Sequence, residues 1–277
     1  MRAIHVASPS VSQPAPALGR ARGPLLVAVA LAVVAGAAAA DDRVKTDGLW
    51  RGSAGAALSA TSGNTRSTAV LLNADVARLT SADKIAFGGN IQYARSEVGG
   101  VDKTTADQVG AFGQYDFNLS PRLFAFGRLA LDRDSLIDLN LRTALNGGLG
   151  FKVLDRNGLR WRVFGGAGVT QDRYDTAKTI GGETDLRFRR TTLLLAEESE
   201  HALGASTSLK QRLEWLPSVG GDKGQRLNLR ADMAVAIDRT MSLTVGLTAR
   251  HDSEPPAGTK STDTGLFTGI NVKLGAP

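Results

Sequence analysis

The chain has no cysteine among its 277 residues, which excludes disulfide frameworks, thiolate metal sites and thiol nucleophiles. Aromatics make up only 5% and prolines number 9 against 32 glycines. An excess of glycine with little proline suits close-packed strands better than disorder. A basic excess is lacking too. Once Arg2, Arg20 and Arg22 at the amino end are set aside, 30 Lys and Arg stand against 27 Asp and Glu, spread along the chain without blocks. That balance excludes the basic stripe of a nucleic-acid binder. After residue 40 there is no run of the about 20 apolar residues that a membrane-crossing helix needs.

The one long apolar run lies before that point. Arg20 and Arg22 precede the twelve-residue stretch Pro24–Ala35, and Ala38-Ala39-Ala40 precedes Asp41-Asp42. A basic start, an apolar core too short for an anchor and an Ala-x-Ala site predict a cleaved secretory signal peptide over 1–40. Residues 41–49 then form a short periplasmic leader, and one domain occupies 50–277.

From Trp50 onward the sequence alternates with a period of two, which puts successive side chains on opposite faces of a strand. The clearest stretch is Leu139–Val153, then Asp155-Arg156-Asn157-Gly158, then Leu159–Val169, a hairpin marked by its Asn-Gly turn. Similar runs cover Trp50–Ala60, Thr68–Val76, Ile85–Tyr93, Val109–Phe117, Leu123–Leu131, Leu193–His201, Leu209–Trp215, Leu227–Ile237, Met241–Ala249 and Leu266–Leu274. Leu193–His201, ending in Glu197-Glu198-Ser199-Glu200, also suits the start of a helix, and its neighbours decide for a strand. The connectors alternate in length. Those at 80–83, 120–122, 155–158, 203–206 and 238–240 are short; those at 97–104, 133–138, 172–190, 217–225 and 252–262 are mostly longer and polar.

Short turns at one end and long loops at the other are the plan of a transmembrane barrel. The fold class is therefore all-β: a 12-stranded antiparallel transmembrane β-barrel in the outer membrane of a Gram-negative cell, with both termini periplasmic. Alternation alone also fits a soluble barrel or sandwich, apolar inside. Against that, the polar face is rich in Gly, Ala, Ser and Asn, and its charges oppose one another at matching heights. The apolar-face aromatics also cluster toward strand ends, with Trp50, Tyr115, Phe117, Phe151 and Trp161 at the short-turn rim and Tyr93 and Trp215 at the other.

Counting from the short turns predicts an ion-paired lumen wall. Arg160 and Arg162 face Glu200 and Glu198, which face Lys210 and Arg212, with Asp232 close to Lys210; Asp132 lies diagonal to Arg142, and Lys152 shares the inward face. Phe112, Phe124, Phe126, Phe164 and Phe267 have the same parity, so the lumen is narrow or largely filled.

No catalytic, cofactor or metal site is expected. Ser199 and His201 share a face of one strand, but hydrolysis needs an oriented nucleophile and base plus an oxyanion hole, and the pair lies near the periplasmic end, away from outer-leaflet substrate; His251-Asp252-Ser253 at the outer rim reads as a polar loop. Asp252, Glu254 and Asp263, like Asp172, Asp175, Glu183 and Asp185, match no calcium-loop spacing. Gly147-Gly148-x-Gly150 and Gly165-Gly166-x-Gly168 precede no helix and are strand glycines rather than nucleotide loops. Arg173, Lys178, Arg187, Arg189 and Arg190 could contact lipopolysaccharide phosphates, but ordinary loop solubility is the preferred reading, since charge clusters are usually solvated.

Several motifs resemble the salt-induced outer-membrane protein family, bacterial barrels of unknown function. They are Trp50-x-Gly52 with Thr61-Ser62-Gly63-Asn64-Thr65, Tyr115-Asp116, Asn146-Gly147-Gly148-Leu149-Gly150, and Asp252-Ser253-Glu254-Pro255-Pro256-Ala257-Gly258-Thr259-Lys260 with Asp263-Thr264. The likeness covers about residues 50 to 274. Two features depart from it: His251 stands where relatives carry an aromatic, and the carboxyl end Leu274-Gly275-Ala276-Pro277 lacks the terminal aromatic offered to the barrel-assembly machinery. The resemblance implies a link to salt or osmotic stress and transfers no catalytic residue. The expected function is a structural or narrow small-solute-permeable envelope protein, not an enzyme. Its partners are outer-membrane lipid, lipopolysaccharide and, during biogenesis, the assembly machinery. The alternatives are an outer-membrane lipid-acting hydrolase and a soluble periplasmic binding barrel.

Overall fold

The computed structural model describes residues 46–61, 65–98, 101–222 and 224–275. The predicted signal peptide, the first half of the leader and the turn at 62–64 lie outside these residues.

Twelve strands follow one another around a closed antiparallel barrel, and β1 completes it against β12. They are β1 (Trp50–Thr61), β2 (Thr65–Leu79), β3 (Asp83–Val98), β4 (Val101–Asn118), β5 (Leu123–Asp134), β6 (Leu139–Arg156), β7 (Leu159–Ile180), β8 (Glu183–Ala202), β9 (Thr207–Gly221), β10 (Gln225–Ala236), β11 (Met241–Asp252) and β12 (Thr262–Gly275). Closure gives every strand a hydrogen-bonded neighbour on each side. The seam registers Arg51 with Gly275 and Ala56 with Ile270, which places the start of β1 and the end of β12 together at the short-turn end. No helix among the described residues is long and apolar enough to cross a membrane, a statement that does not concern strands.

Local chemistry explains the short turns. Gly158 takes φ +73° behind Asn157, a conformation that costs glycine no steric clash. Asp238 Oδ1 accepts from the backbone N–H groups of Thr240 and Met241, both at 2.7 Å, and so closes its own turn.

The other end differs from the sequence expectation. The predicted loop at 172–190 is mostly strand: β7 runs on to Ile180, β8 begins at Glu183, and Gly181-Gly182 joins them with φ +61° and +91°. The connectors at 97–104 and 217–225 are likewise mostly strand, while 253–261 is a true loop. The reason is a reversal of polarity. In the β7–β8 extension the inward residues Tyr174, Ile180 and Phe188 are buried and apolar, whereas Arg173, Arg187 and Arg189 face out and are exposed. An alternation judged by apolar residues on the outer face fades there, although the period of two continues.

Candidate functional site: the interior of the barrel

Twelve strands about 4.8 Å apart and tilted by about 40° enclose a backbone cylinder about 24 Å across. Inward side chains decide how much of that width stays open. On the short-turn side Phe124, Phe126 and Phe164 fill it. Phe164 meets Phe124 and Phe126 edge to face, each at 5.4 Å between centroids, with Leu194 and Ala196 beside them. The rings fit because glycines lie across from them. Phe124 registers with Gly150, Phe126 with Gly148, Phe112 with Gly88 and Phe267 with Gly246. A Cβ on Gly150 would enter the Phe124 ring. Ring and glycine thus act as a pair, the ring covering backbone that the glycine leaves bare.

Around this aromatic floor runs a chain of charges. Glu198 accepts from Arg162 and, at 2.8 Å, from Arg212. Arg212 also reaches Glu214 at 2.6 Å. Arg162 further contacts Asp116 at 3.4 Å, and Asp116 accepts from Gln114 at 2.8 Å. Gln114 in turn accepts from Arg128 at 3.0 Å, and that guanidinium lies 3.9 Å from the Phe112 centroid. The Arg162–Asp116 contact joins β7 to β4 over the two strands between them. It crosses the interior rather than following the wall.

A second cluster lies nearer the long-hairpin end. Asp172 accepts from Arg142 at 2.6 and 2.9 Å and from Arg226 at 3.0 Å. Arg226 also donates to Asp252 at 3.1 Å. Arg190 stands 3.7 Å from Asp172 and 3.7 Å from Asp252. Here too β10 reaches β7 and β8 reaches β11, so the contacts span the lumen. Above the cluster, Leu139, Tyr174, Ile180 and Phe188 form an apolar cap, and Ala257 N–H donates to Thr179 O at 3.4 Å, linking the β11–β12 loop to the tip of the β7–β8 hairpin. The opposite wall is lined with small polar side chains, among them Ser53, Asn73, Asn271 and Thr244, the last two hydrogen-bonded at 2.6 Å.

Among the residues singled out from sequence, Arg160 pairs with Glu200, and Lys210 lies 3.7 Å from Glu200. Three partners differ from expectation. Asp132 does register with Arg142, but the arginine turns to Asp172 instead. Asp232 registers with Lys210 yet bonds Arg230 at 2.6 Å, its neighbour on the same face of β10. Lys152 donates to the Asn118 side-chain carbonyl at 3.0 Å rather than to an acid. Arg190, considered for lipopolysaccharide, is 3% exposed and points inward, and Lys178 pairs with Asp138 at 2.6 Å. Asp172, Arg226 and Asp252 were not placed in the lumen by sequence, although their parity with Thr170, Asn228 and Arg250 was available as a signal; Asp116 and Glu214 share the polar face of their strands by sequence, without a partner assigned.

The outer face carries the exposed apolar side chains, from Leu58 at 74% and Leu145 at 60% to Leu266 at 78%. Near the short turns Trp50 stacks on Phe87 at 6.1 Å, Tyr115 donates to Asp83 at 3.3 Å and Trp161 to Glu197 at 2.9 Å, with Phe117 and Phe151 exposed nearby. Toward the other end Tyr93 is exposed, and Trp215 donates to Gln225 at 2.9 Å. Ser199 Oγ is buried without a hydrogen-bond partner, so it is not bonded to His201. The His251 ring bonds Thr262 at 2.9 Å, and Ser253 accepts from Gln225 N–H at 2.8 Å. No cluster of three or more His, Asp or Glu side chains among the described residues could hold a metal ion.

These features define a class: a closed antiparallel barrel of twelve strands, apolar outside and filled within by rings and ion pairs. The profile of a family described as "Protein of unknown function, DUF481" matches residues 54–274, and the chain belongs to that family. No curated protein matches it. Among solved structures it is similar to the translocator domain of autotransporter NalP from Neisseria meningitidis, at 13% identity over 83% of this chain and 89% of that one, with TM-score 0.47. It is also similar to the NanC porin, at 8% identity over 83% and 99%, with TM-score 0.45. A third is an outer membrane channel from Pseudomonas putida F1, at 10% identity over 87% and 100%, with TM-score 0.45.

Proposed function

We propose that this chain is an outer-membrane β-barrel of the Gram-negative envelope, acting as a narrow small-solute channel braced by ion pairs across its lumen. The observation that carries the membrane reading is the exterior. All twelve strands expose large apolar side chains outward, and each has at least 12 residues, more than the about 9–11 that a spanning strand needs. A soluble monomer rarely exposes a continuous apolar patch beyond about 600 Å². The exposed aromatics near both ends suit the two lipid–water interfaces, and the short-turn end with the termini then faces the periplasm. The outer rim meets lipopolysaccharide. Solutes pass along the small polar wall of Ser53, Asn73, Asn271 and Thr244, opposite the ring-filled side. The reading assigns no catalytic step to Ser199, His201 or His251.

A structural, non-conducting role is the second reading, favoured by the capped mouth. Planar-bilayer recording distinguishes the two. Wild-type protein is expected to give discrete ohmic steps, and Phe124→Ala/Phe164→Ala larger ones. Silence from both proteins refutes conduction and leaves the structural role. Absence from the outer-membrane fraction, or a gel mobility unaffected by heating, refutes the membrane reading itself. The salt or osmotic link implied by the family resemblance is tested separately, by following the protein's abundance as sodium chloride is raised.

A further inference from the structure

The cluster around Asp172 does not balance. Three guanidinium groups, of Arg142, Arg190 and Arg226, meet two carboxylates, of Asp172 and Asp252. Arg142 and Arg226 take the hydrogen-bonding geometry at those carboxylates. Arg190 is the group left over. It is 3% exposed, its carboxylate distances of 3.7 Å exceed hydrogen-bond length, and its buried Nε and Nη2 have no hydrogen-bond partner. Two residues along the same inward face, Thr192 Oγ1 is also buried without a partner. Arg190 and Thr192 both line a cavity of about 10 Å³, together with Thr170, Leu216, Gln225 and Arg226. That is room for about one water-sized sphere.

We infer that this cavity binds one small monovalent anion of the halide class, held by the Arg190 guanidinium and the Thr192 hydroxyl. A buried cation with unmet donors is costly. A halide accepts from all three donor atoms and cancels the single excess positive charge, whereas a water molecule leaves that charge in place. The volume is too small for phosphate, sulfate or a carboxylate-bearing metabolite. The apolar Leu216 side favours a weakly hydrated ion over a strongly hydrated one. The site concerns a bound ion, not transport, and stands whether or not the barrel conducts.

Crystals of the full barrel grown with bromide in place of chloride give the direct test. An anomalous peak within hydrogen-bonding reach of Arg190 and Thr192 is expected, and no peak there overturns the inference. In solution, urea unfolding of the folded barrel at fixed ionic strength, with chloride replacing gluconate, should show a midpoint that rises and saturates. Arg190→Met should abolish that dependence. Thr192→Val keeps all five charged groups, and should raise the half-saturating chloride concentration by about tenfold or more, as expected for one lost hydrogen bond to an ion. It therefore serves if Arg190→Met does not fold. A midpoint that ignores chloride in the wild type, or a chloride response unchanged by Thr192→Val, overturns the site.

Discussion

Asp172→Asn tests the cross-lumen charge cluster most directly. Asp172 is 1% exposed and accepts charge-assisted hydrogen bonds from Arg142 at 2.6 and 2.9 Å and from Arg226 at 3.0 Å. Asparagine keeps the shape and one carbonyl oxygen, but it replaces the second acceptor with a donor aimed at a guanidinium. Removing one partner of a buried pair costs about 3–5 kcal/mol. The Arg142 side chain keeps 20% exposure, so partial solvation pulls the expected loss to about 3 kcal/mol. A double-mutant cycle with Arg142→Met should give a coupling energy of about 1.5 kcal/mol or more. Asp132→Asn is the control. Asp132 is the backbone partner of Arg142, yet the guanidinium faces away from it, so a change within about 0.5 kcal/mol is expected. The assay is urea unfolding from micelles or bilayers, read by the fluorescence of Trp50, Trp161 and Trp215. An Asp172→Asn effect below about 0.5 kcal/mol, or an Asp132→Asn effect larger than that of Asp172→Asn, refutes the reasoning.

Two further outcomes follow from the outer face and the outer rim. Leu145, 60% exposed on β6, faces lipid in the proposed orientation, and Leu145→Arg should destabilise the folded barrel in bilayers by about 2–4 kcal/mol. A loss near zero in that equilibrium measurement would indicate a water-exposed outer face. At the rim, Lys178 Nζ donates to Asp138 at 2.6 Å and Thr176 Oγ1 at 2.9 Å, and they hold the Asp138 carboxyl below the usual carboxylate range. With the folded value depressed, this contribution is present above the unfolded pKa of about 3.9 and lost as pH falls through the folded one. Amide protection factors near Ile180 should therefore be flat from neutral pH down to about 5 and drop below about 4. Asp138→Asn should be lower throughout and lack that drop.

The two halves of this molecule were legible to different degrees. In Leu139–Val169 the period of two, the Asn157-Gly158 turn and the face of each side chain could all be assigned from the residues, because strand geometry makes facing a matter of parity. The pairing of Arg162 with Glu198 and of Arg160 with Glu200 was also within reach, since both strands can be counted inward from the short turns at 155–158 and 203–206. The β7–β8 extension was hidden because its outer face carries Arg173, Arg187 and Arg189, where an apolar residue would have marked the strand. Asp172 and Arg190 were read as loop residues for that reason, and the arginine cluster disappeared with them.

The sequence by itself determined the number of strands, their order and, outside the β7–β8 extension, the inward or outward parity of the strand side chains, because all three follow from local periodicity and turn chemistry. Only the tertiary structure decided which charges meet. The contacts of Arg162 with Asp116, Arg226 with Asp172 and Arg190 with Asp252 join strands three places apart around the barrel, with two strands between. Such pairs obey no spacing along the chain. Closing the sheet into a cylinder brings non-neighbouring walls within reach of a long guanidinium, and that closure also leaves Arg190 with more donors than the carboxylates around it can meet.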